Sequence, residues 1–275
     1  MKPPAFDFLR PDSIEEVLAT LAEYRGDATL IGGGQSLVPM LNMRLAKPKV
    51  LIDTLRLTPL AVIAEKAGKV RVGVGVRQAK FEAWPDLTAK LPLLSKAIPW
   101  IGHVQTRARG TVCGSIAHAD PSAELPLCLI TLGGEVHLRS KKKARTVPAV
   151  QFFTGMMATA KAEDEMIEAV SYPVAAPDTG YAYTELGRRH GDFAIIGVSA
   201  VVGPSGAKIG VSGVDDFARC FEMPMPGDSG LDDALNEAAW ELNARDDNHA
   251  SARYRREMVR RLGRKMLEEA ASCRN

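Results

Sequence analysis

The chain has little that would tie it to a metal cluster, a membrane or a polyanion. Its four cysteines, Cys113, Cys128, Cys220 and Cys273, lie far apart in sequence. That spacing excludes a zinc ribbon, a CxxC redox pair and a cysteine-ligated iron–sulfur cluster held by this chain. No apolar run reaches the roughly 18 residues that a membrane span needs, and the opening MKPPAFDFLRP carries no long apolar region. These absences predict a cytoplasmic, reducing setting with the cysteines as buried free thiols. A formal charge of +2 on 275 residues gives no broad electrostatic argument for binding nucleic acid or a membrane surface. The one dense basic cluster, RSKKKAR at 139–145, follows the strand-like EVHL and reads as a solvated hairpin tip.

What is present is ordinary globular material, 46% hydrophobic and 25% charged, in a chain long enough to bury a substantial core. Ser13 and Glu16 have capping-box spacing ahead of Ile14, Val17, Leu18 and Leu21, which repeat at helical spacing until Gly26. ATLI at 28–31 and KVLID at 49–53 read as two short strands. A glycine turn and a helix from Ser36 to Leu45 join them, so the two strands are predicted to be parallel. KVRVGVGV at 69–76 alternates as a strand, and 77–101 reads as helix interrupted by Pro85, Pro92 and Pro99. AELPLCLITLGG predicts a short helix, and EVHLRS and 164–173 predict strands. PVAAPDTG at 173–180 reads as a linker. Beyond it, three apolar segments predict an antiparallel meander, and 229–270 predicts helix.

Two glycine-bearing segments call for explanation. LIGGGQSLVPM at 30–40 exposes bare backbone between a strand and a helix, and GTVCGSIAHADPSAELP at 110–126 does so again. Glycine is costly in backbone entropy, so it is placed where a chain turns sharply or approaches something closely. Open N–H groups at such a turn suit a phosphate, which side chains would block. The familiar nucleotide motifs fail, because a P-loop would need Lys and Ser/Thr where Gln35 and Ser36 stand. A Rossmann turn would need glycine at Leu37. A tight structural turn and a phosphate site both account for the triple glycine. In the second segment, His118, Asp120, Ser122 and Glu124 put four polar groups into seven residues. Their structural readings are a turn at Asp120–Pro121, a helix cap from Ser122, Glu124 in the first turn of that helix, and a satisfied structural histidine.

Taken together, GGGQSLVPMLNMRLAKP (32–48), RGTVCGSIAHADPSAELP (109–126) and GRRHGDFAIIGV (187–198) resemble the FAD-binding medium subunit of the molybdenum hydroxylases. This is the family of xanthine dehydrogenase and aerobic carbon monoxide dehydrogenase. The resemblance runs over essentially the whole chain. It implies an α+β fold of the PCMH/VAO-like type, with an FAD-binding region at 1–176 whose two α+β subdomains cover about 1–55 and 56–176. A C-terminal domain of antiparallel sheet plus helices would follow at 177–275.

By the same resemblance, Gly32, Gly33, Gly34, Gln35 and Ser36 would wrap the FAD pyrophosphate. Thr111, Val112, Cys113, Gly114 and Ser115 would meet the phosphates and ribityl chain, with Cys113 standing where the family more often has glycine. Glu124, and after it Asp120, would bond the ribityl hydroxyls, with His118 in the same stretch. Ile167 would give a backbone contact near the flavin, and Asp192 and Phe193 would lie by the isoalloxazine ring. Some relatives carry a lysine just before this last block, where this chain has Thr184 and Glu185. The resemblance calls for no catalytic side chain and no metal ligand in this chain.

By the same resemblance, molybdopterin would sit in a large partner subunit and two [2Fe-2S] clusters in a small one. The expected unit is a dimer of heterotrimers that passes electrons to an external acceptor such as NAD, oxygen or a quinone. The other reading is a stand-alone FAD-dependent oxidase or reductase of similar fold.

Overall fold

The computed structural model describes residues 2–274. In chain order, β1 (Asp7–Leu9) and α1 (Ile14–Tyr24) lead into β2 (Ala28–Ile31), α2 (Leu37–Asn42) and β3 (Val50–Asp53). The strands β4 (Ile63–Lys66) and β5 (Lys69–Gly73) precede α3 (Gln78–Glu82), α4 (Leu87–Lys90) and α5 (Pro92–Ala97). Then come α6 (Val104–Arg109), α7 (Val112–His118) and α8 (Glu124–Thr131). The hairpin β6 (Glu135–Arg139) and β7 (Ala144–Pro148) is followed by α9 (Ala149–Phe152), β8 (Phe153–Gly155), β9 (Ala158–Thr159) and β10 (Met166–Pro173). Four strands, β11 (Gly180–Leu186), β12 (Ile196–Gly203), β13 (Gly206–Ser212) and β14 (Arg219–Met223), precede α10 (Leu231–Glu241) and α11 (Ala252–Ser272).

The first sheet has the order β1-β3-β2, and β2 and β3 are parallel, as the sequence predicts. β1 is an addition to that reading, because its three exposed residues leave no hydrophobic pattern. Ser13 caps α1, its Oγ accepting from the Glu16 N–H at 3.2 Å. The Glu16 carboxylate reaches back to the N–H of Asp12 rather than Ser13. Helix α2 is shorter than predicted, and the Ser36 side chain makes no cap hydrogen bond.

The second sheet runs β4-β5-β10-β6-β7 and is antiparallel throughout. The basic cluster occupies the β6–β7 turn, as expected of a hairpin tip. The third sheet is the meander β11-β12-β13-β14. One face of it packs on α8 and α5, and the other on α10 and α11. Tyr181 and Tyr183 therefore join the core of the first two sheets, while Ala182, Val198, Val211 and Val259 belong to a second core on the far side. Cys113 and Cys128 are buried free thiols, but Cys220 is half-buried and Cys273 exposed, so burial holds for only two of the four. Among the described residues no helix is long and apolar enough to cross a membrane.

Candidate functional site

The two glycine turns meet. A Cβ built on Gly33 would overlap the carbonyl oxygen of Arg109 and the Cα of Gly110. One built on Gly32 would lie 2.9 Å from Thr111 Oγ1. The bare backbone at Gly32 and Gly33 thus lets one turn rest directly on the other, a different reason from the phosphate clearance read off the sequence. Gly34 has φ of +73°, a conformation side chains resist, and it aims the chain into α2. The backbone N–H groups of Gly33, Gly34, Gln35 and Ser36 find no acceptor elsewhere in the chain among the described residues. Consecutive free N–H groups around a left-handed residue make a concavity suited to an anion.

These amides line a cavity of about 640 Å³. Gly32 to Ser36 form one wall, and Thr111, Cys113, Gly114 and Ser115 form the adjoining one. His118, Asp120, Glu124 and Ile167 continue the lining, and Asp192 and Phe193 reach it from the C-terminal region. Fifteen of the sixteen residues singled out from the sequence therefore surround one space. Val112 is the exception and corrects the expectation. Its side chain is fully buried in the core and its N–H donates to Val76 O at 3.0 Å, so it has nothing to offer a ligand.

The segment around Val112 is also more regular than a glycine loop. It is helix α7, capped by Thr111, whose Oγ1 accepts from Gly114 N–H at 3.0 Å. That bond occupies the Gly114 amide, so Gly114 contributes openness rather than a donor. Cys113 sits in the helix with its thiol 3.6 Å from Val72 O, and burial pushes the thiol up to about 12. A helical backbone accepts its Cβ without strain. Asp120 does form the expected turn, accepting from Ser122 N–H at 2.8 Å. Ser122 does not cap α8, whose cap position is Ala123.

Glu124 opens α8 and is only 9% exposed. Burial, then the charges of Glu185 and Asp120, push its carboxyl up to about 8. Asp192 is held by Arg189 at 3.0 Å, and Phe193 projects at the rim, 72% exposed. Sequence reasoning missed Gln78, Lys161 and Thr54, which also line the cavity. Gln78 is buried and its Oε1 has no partner in the chain. Burial lowers the Lys161 ammonium, which donates to the carbonyls of Ala162 at 3.0 Å and Glu165 at 3.2 Å. None of the three lies in one of the glycine blocks, so the sequence reading passed over them. No cluster of three or more metal-ligating side chains stands together among the described residues.

The comparisons agree with this geometry. The family model described as the FAD binding domain in molybdopterin dehydrogenase matches residues 4–175. The alpha subunit of the 6-hydroxypseudooxynicotine dehydrogenase complex of Paenarthrobacter nicotinovorans is 37% identical, over 98% of this chain and 96% of that protein. The carbon monoxide dehydrogenase medium chain of Hydrogenophaga pseudoflava is 37% identical over 75% of this chain and 72% of that one. The solved structure of reconstituted CO dehydrogenase from Oligotropha carboxidovorans superposes with a TM-score of 0.95 at 30% identity, covering 99% of this chain and 100% of that one. An α+β chain with two meeting glycine turns, matched by that family model over most of its length and by relatives over nearly all of it, belongs to the FAD-binding medium subunits of the molybdenum hydroxylases.

Proposed function

We propose that the cavity holds FAD with its diphosphate on the free N–H groups of Gly33, Gly34, Gln35 and Ser36. That row of unpaired amides beside a 640 Å³ cavity is the observation that carries the reading. Preformed N–H donors offset the charge of a diphosphate without reorganising. Glu124 and Asp120 then face the ribityl chain, and Ile167, Asp192 and Phe193 lie toward the ring. The exposure of Phe193 at the rim supports a ring end that is covered by a neighbouring polypeptide. FAD, when bound, supplies the redox chemistry, and the chain supplies position and electrostatics. Residues 1–176 form the cofactor-holding region in this reading, and 177–275 complete it from the far side.

In the assembly we propose, this chain takes electrons from two [2Fe-2S] clusters of a small subunit and passes them to an external acceptor. A large molybdopterin subunit carries out the substrate chemistry, and two such heterotrimers pair. Relatives named for 6-hydroxypseudooxynicotine, carbon monoxide and glyceraldehyde support a medium subunit that is shared across substrates because it does not touch them.

The purified chain should be yellow and release FAD on denaturation, and it should co-purify with iron- and molybdenum-containing chains when expressed with its neighbours. A colourless chain that takes up no FAD when titrated would overturn the cofactor reading. Substrate turnover by the chain alone would favour the stand-alone oxidase or reductase.

A further inference from the structure

The strand that feeds the first glycine turn gives the cavity two ends. β2 begins at Ala28 and delivers the chain through Ile31 to Gly32–Ser36. Its start therefore lies about 10 Å from the turn, three steps of ~3.3 Å along a strand. Leu21, Ala28, Thr29 and Leu30 line the cavity on that side. The other end lies under the connection from β11 to β12. There His190 stacks on Trp100 with ring centroids 5.4 Å apart, and a Cβ built on Gly191 would overlap the His103 ring. Asp192 and Phe193 reach the cavity from this connection, and Phe193 is exposed. With the flavin at that open rim, the adenosine half of FAD lies at the β2 end.

Lys161 stands at the β2 end. It lies on the loop between β9 and β10, whose Glu163 carboxylate comes within 3.0 Å of a Cβ built on Gly26, just before β2 begins. Arg145 pins this loop by donating to both oxygens of Glu165 and to Ala160 O, each at 2.7 Å. The Glu165 carboxylate also accepts from Ala162 N–H at 2.9 Å. Within the pinned loop the Lys161 ammonium donates to Ala162 O at 3.0 Å and Glu165 O at 3.2 Å. An ammonium carries three N–H donors. The third has no acceptor in the chain among the described residues. Lys161 is also the one lysine or arginine among the described residues that line the cavity, where the carboxyl groups belong to Asp120, Glu124 and Asp192. A half-buried ammonium with a spare donor is thus held against a cavity end that is otherwise largely apolar.

We propose that Lys161 grips the adenosine half of bound FAD, its third N–H donating to an acceptor on the adenine base or its ribose. The inference rests on the FAD reading above and adds to it a residue outside the glycine blocks. The free amides of Gly33, Gly34, Gln35 and Ser36 suit the diphosphate and stand about a strand's length away, so the two sets of donors divide the dinucleotide between them. Adenosine offers ring nitrogens and ribose oxygens as acceptors, and its flat base suits a wall of Leu21, Ala28 and Leu30. A hydrogen bond from a charged donor is stronger than one between neutral groups. The two carbonyls already fix the ammonium, so little side-chain freedom is lost when the ligand arrives. Lys161 thereby favours the dinucleotide over FMN, which has no adenosine to hold.

The test is ligand competition on the full-length chain, followed by flavin fluorescence, with FAD, ADP and FMN as probes. In the wild type ADP should displace FAD. In Lys161→Met, which keeps the apolar stem, the FAD dissociation constant should rise at least about tenfold, the scale for losing a hydrogen bond from a charged donor. ADP should weaken by the same factor, and FMN should bind as it does to the wild type. Lys161→Gln, which can still donate to the loop carbonyls, should also lose FAD and ADP affinity while the melting temperature of the FAD-free chain stays at the wild-type value. FAD and ADP affinities that match the wild type in both variants overturn the proposal and leave the FAD reading intact. So does a wild type from which ADP displaces no FAD, and so does a loss shared equally by FAD and FMN, which would put the effect on the flavin half or on the fold. A chain that binds no FAD overturns both readings.

Discussion

A single methyl group at Gly33 would have to displace the backbone of Arg109 and Gly110, which is not the flexible end of a side chain. Gly33→Ala should therefore push the two turns apart and spread the row of free amides. The expected outcome is a loss of at least about tenfold in FAD affinity, which corresponds to about 1.4 kcal/mol. Flavin absorbance per chain after purification checks it, and retention of full flavin content would show that the turns do not need to touch. A different residue-scale dependence holds the β7–β10 end together. Arg145 grips Glu165 with two hydrogen bonds of 2.7 Å, and the Glu165 side chain is 1% exposed. Arg145→Ala would strand a buried carboxylate, at a cost of about 3 kcal/mol at neutral pH. The Arg145 hydrogen bond holds the Glu165 pKa below the usual carboxylate value. The wild-type contribution is thus present above the unfolded pKa and lost as pH falls through the folded one. Urea unfolding at neutral and acid pH should show the variant's deficit shrinking in acid.

Helix α7 is short, and its start depends on one side chain. Thr111→Ala would leave the Gly114 N–H without its acceptor, a loss of about 1 kcal/mol for a missing cap. The same change withdraws the atom nearest Gly32, so FAD affinity should fall together with the melting temperature. Affinity and melting temperature measured on one preparation check this, and a stable variant with lowered FAD affinity would assign Thr111 to the ligand alone. This helix also marks where sequence reading stopped. Gly114 and Ser115 within its first five positions masked the apolar pattern. Elements with a strong period were legible, among them the capped α1, the parallel β2 and β3, the β6–β7 hairpin and the C-terminal meander. The site was legible where glycines and charged blocks marked it. Gln78 and Lys161 were not, because only the tertiary fold carries α3 and the loop between β9 and β10 to the cavity.

At the scale of the molecule, α8 is shared. It is buried along its whole length, packing on α5 and α7 on one side and on β12, β13 and β14 on the other. The C-terminal sheet is thus a middle layer with a core on each face. A sheet held on both faces has no exposed apolar surface of its own to lose, and it should not unfold apart from the region that precedes it. The contact is tightest at Gly210, where a built Cβ would lie 2.6 Å from Ser199 Oγ and 2.8 Å from Leu127 Cδ1 and would overlap Thr131 Oγ1. Gly210→Ala should therefore overpack the seam and cost about 2 kcal/mol. Because the seam joins the layers, the whole transition should move to lower temperature rather than split. Calorimetry on the full chain decides the matter through the agreement of calorimetric and van't Hoff enthalpies. One endotherm in both wild type and variant supports a shared layer. Two endotherms, with only the later or the earlier one shifted by Gly210→Ala, would mean that the C-terminal sheet folds on its own and that α8 merely lies against it.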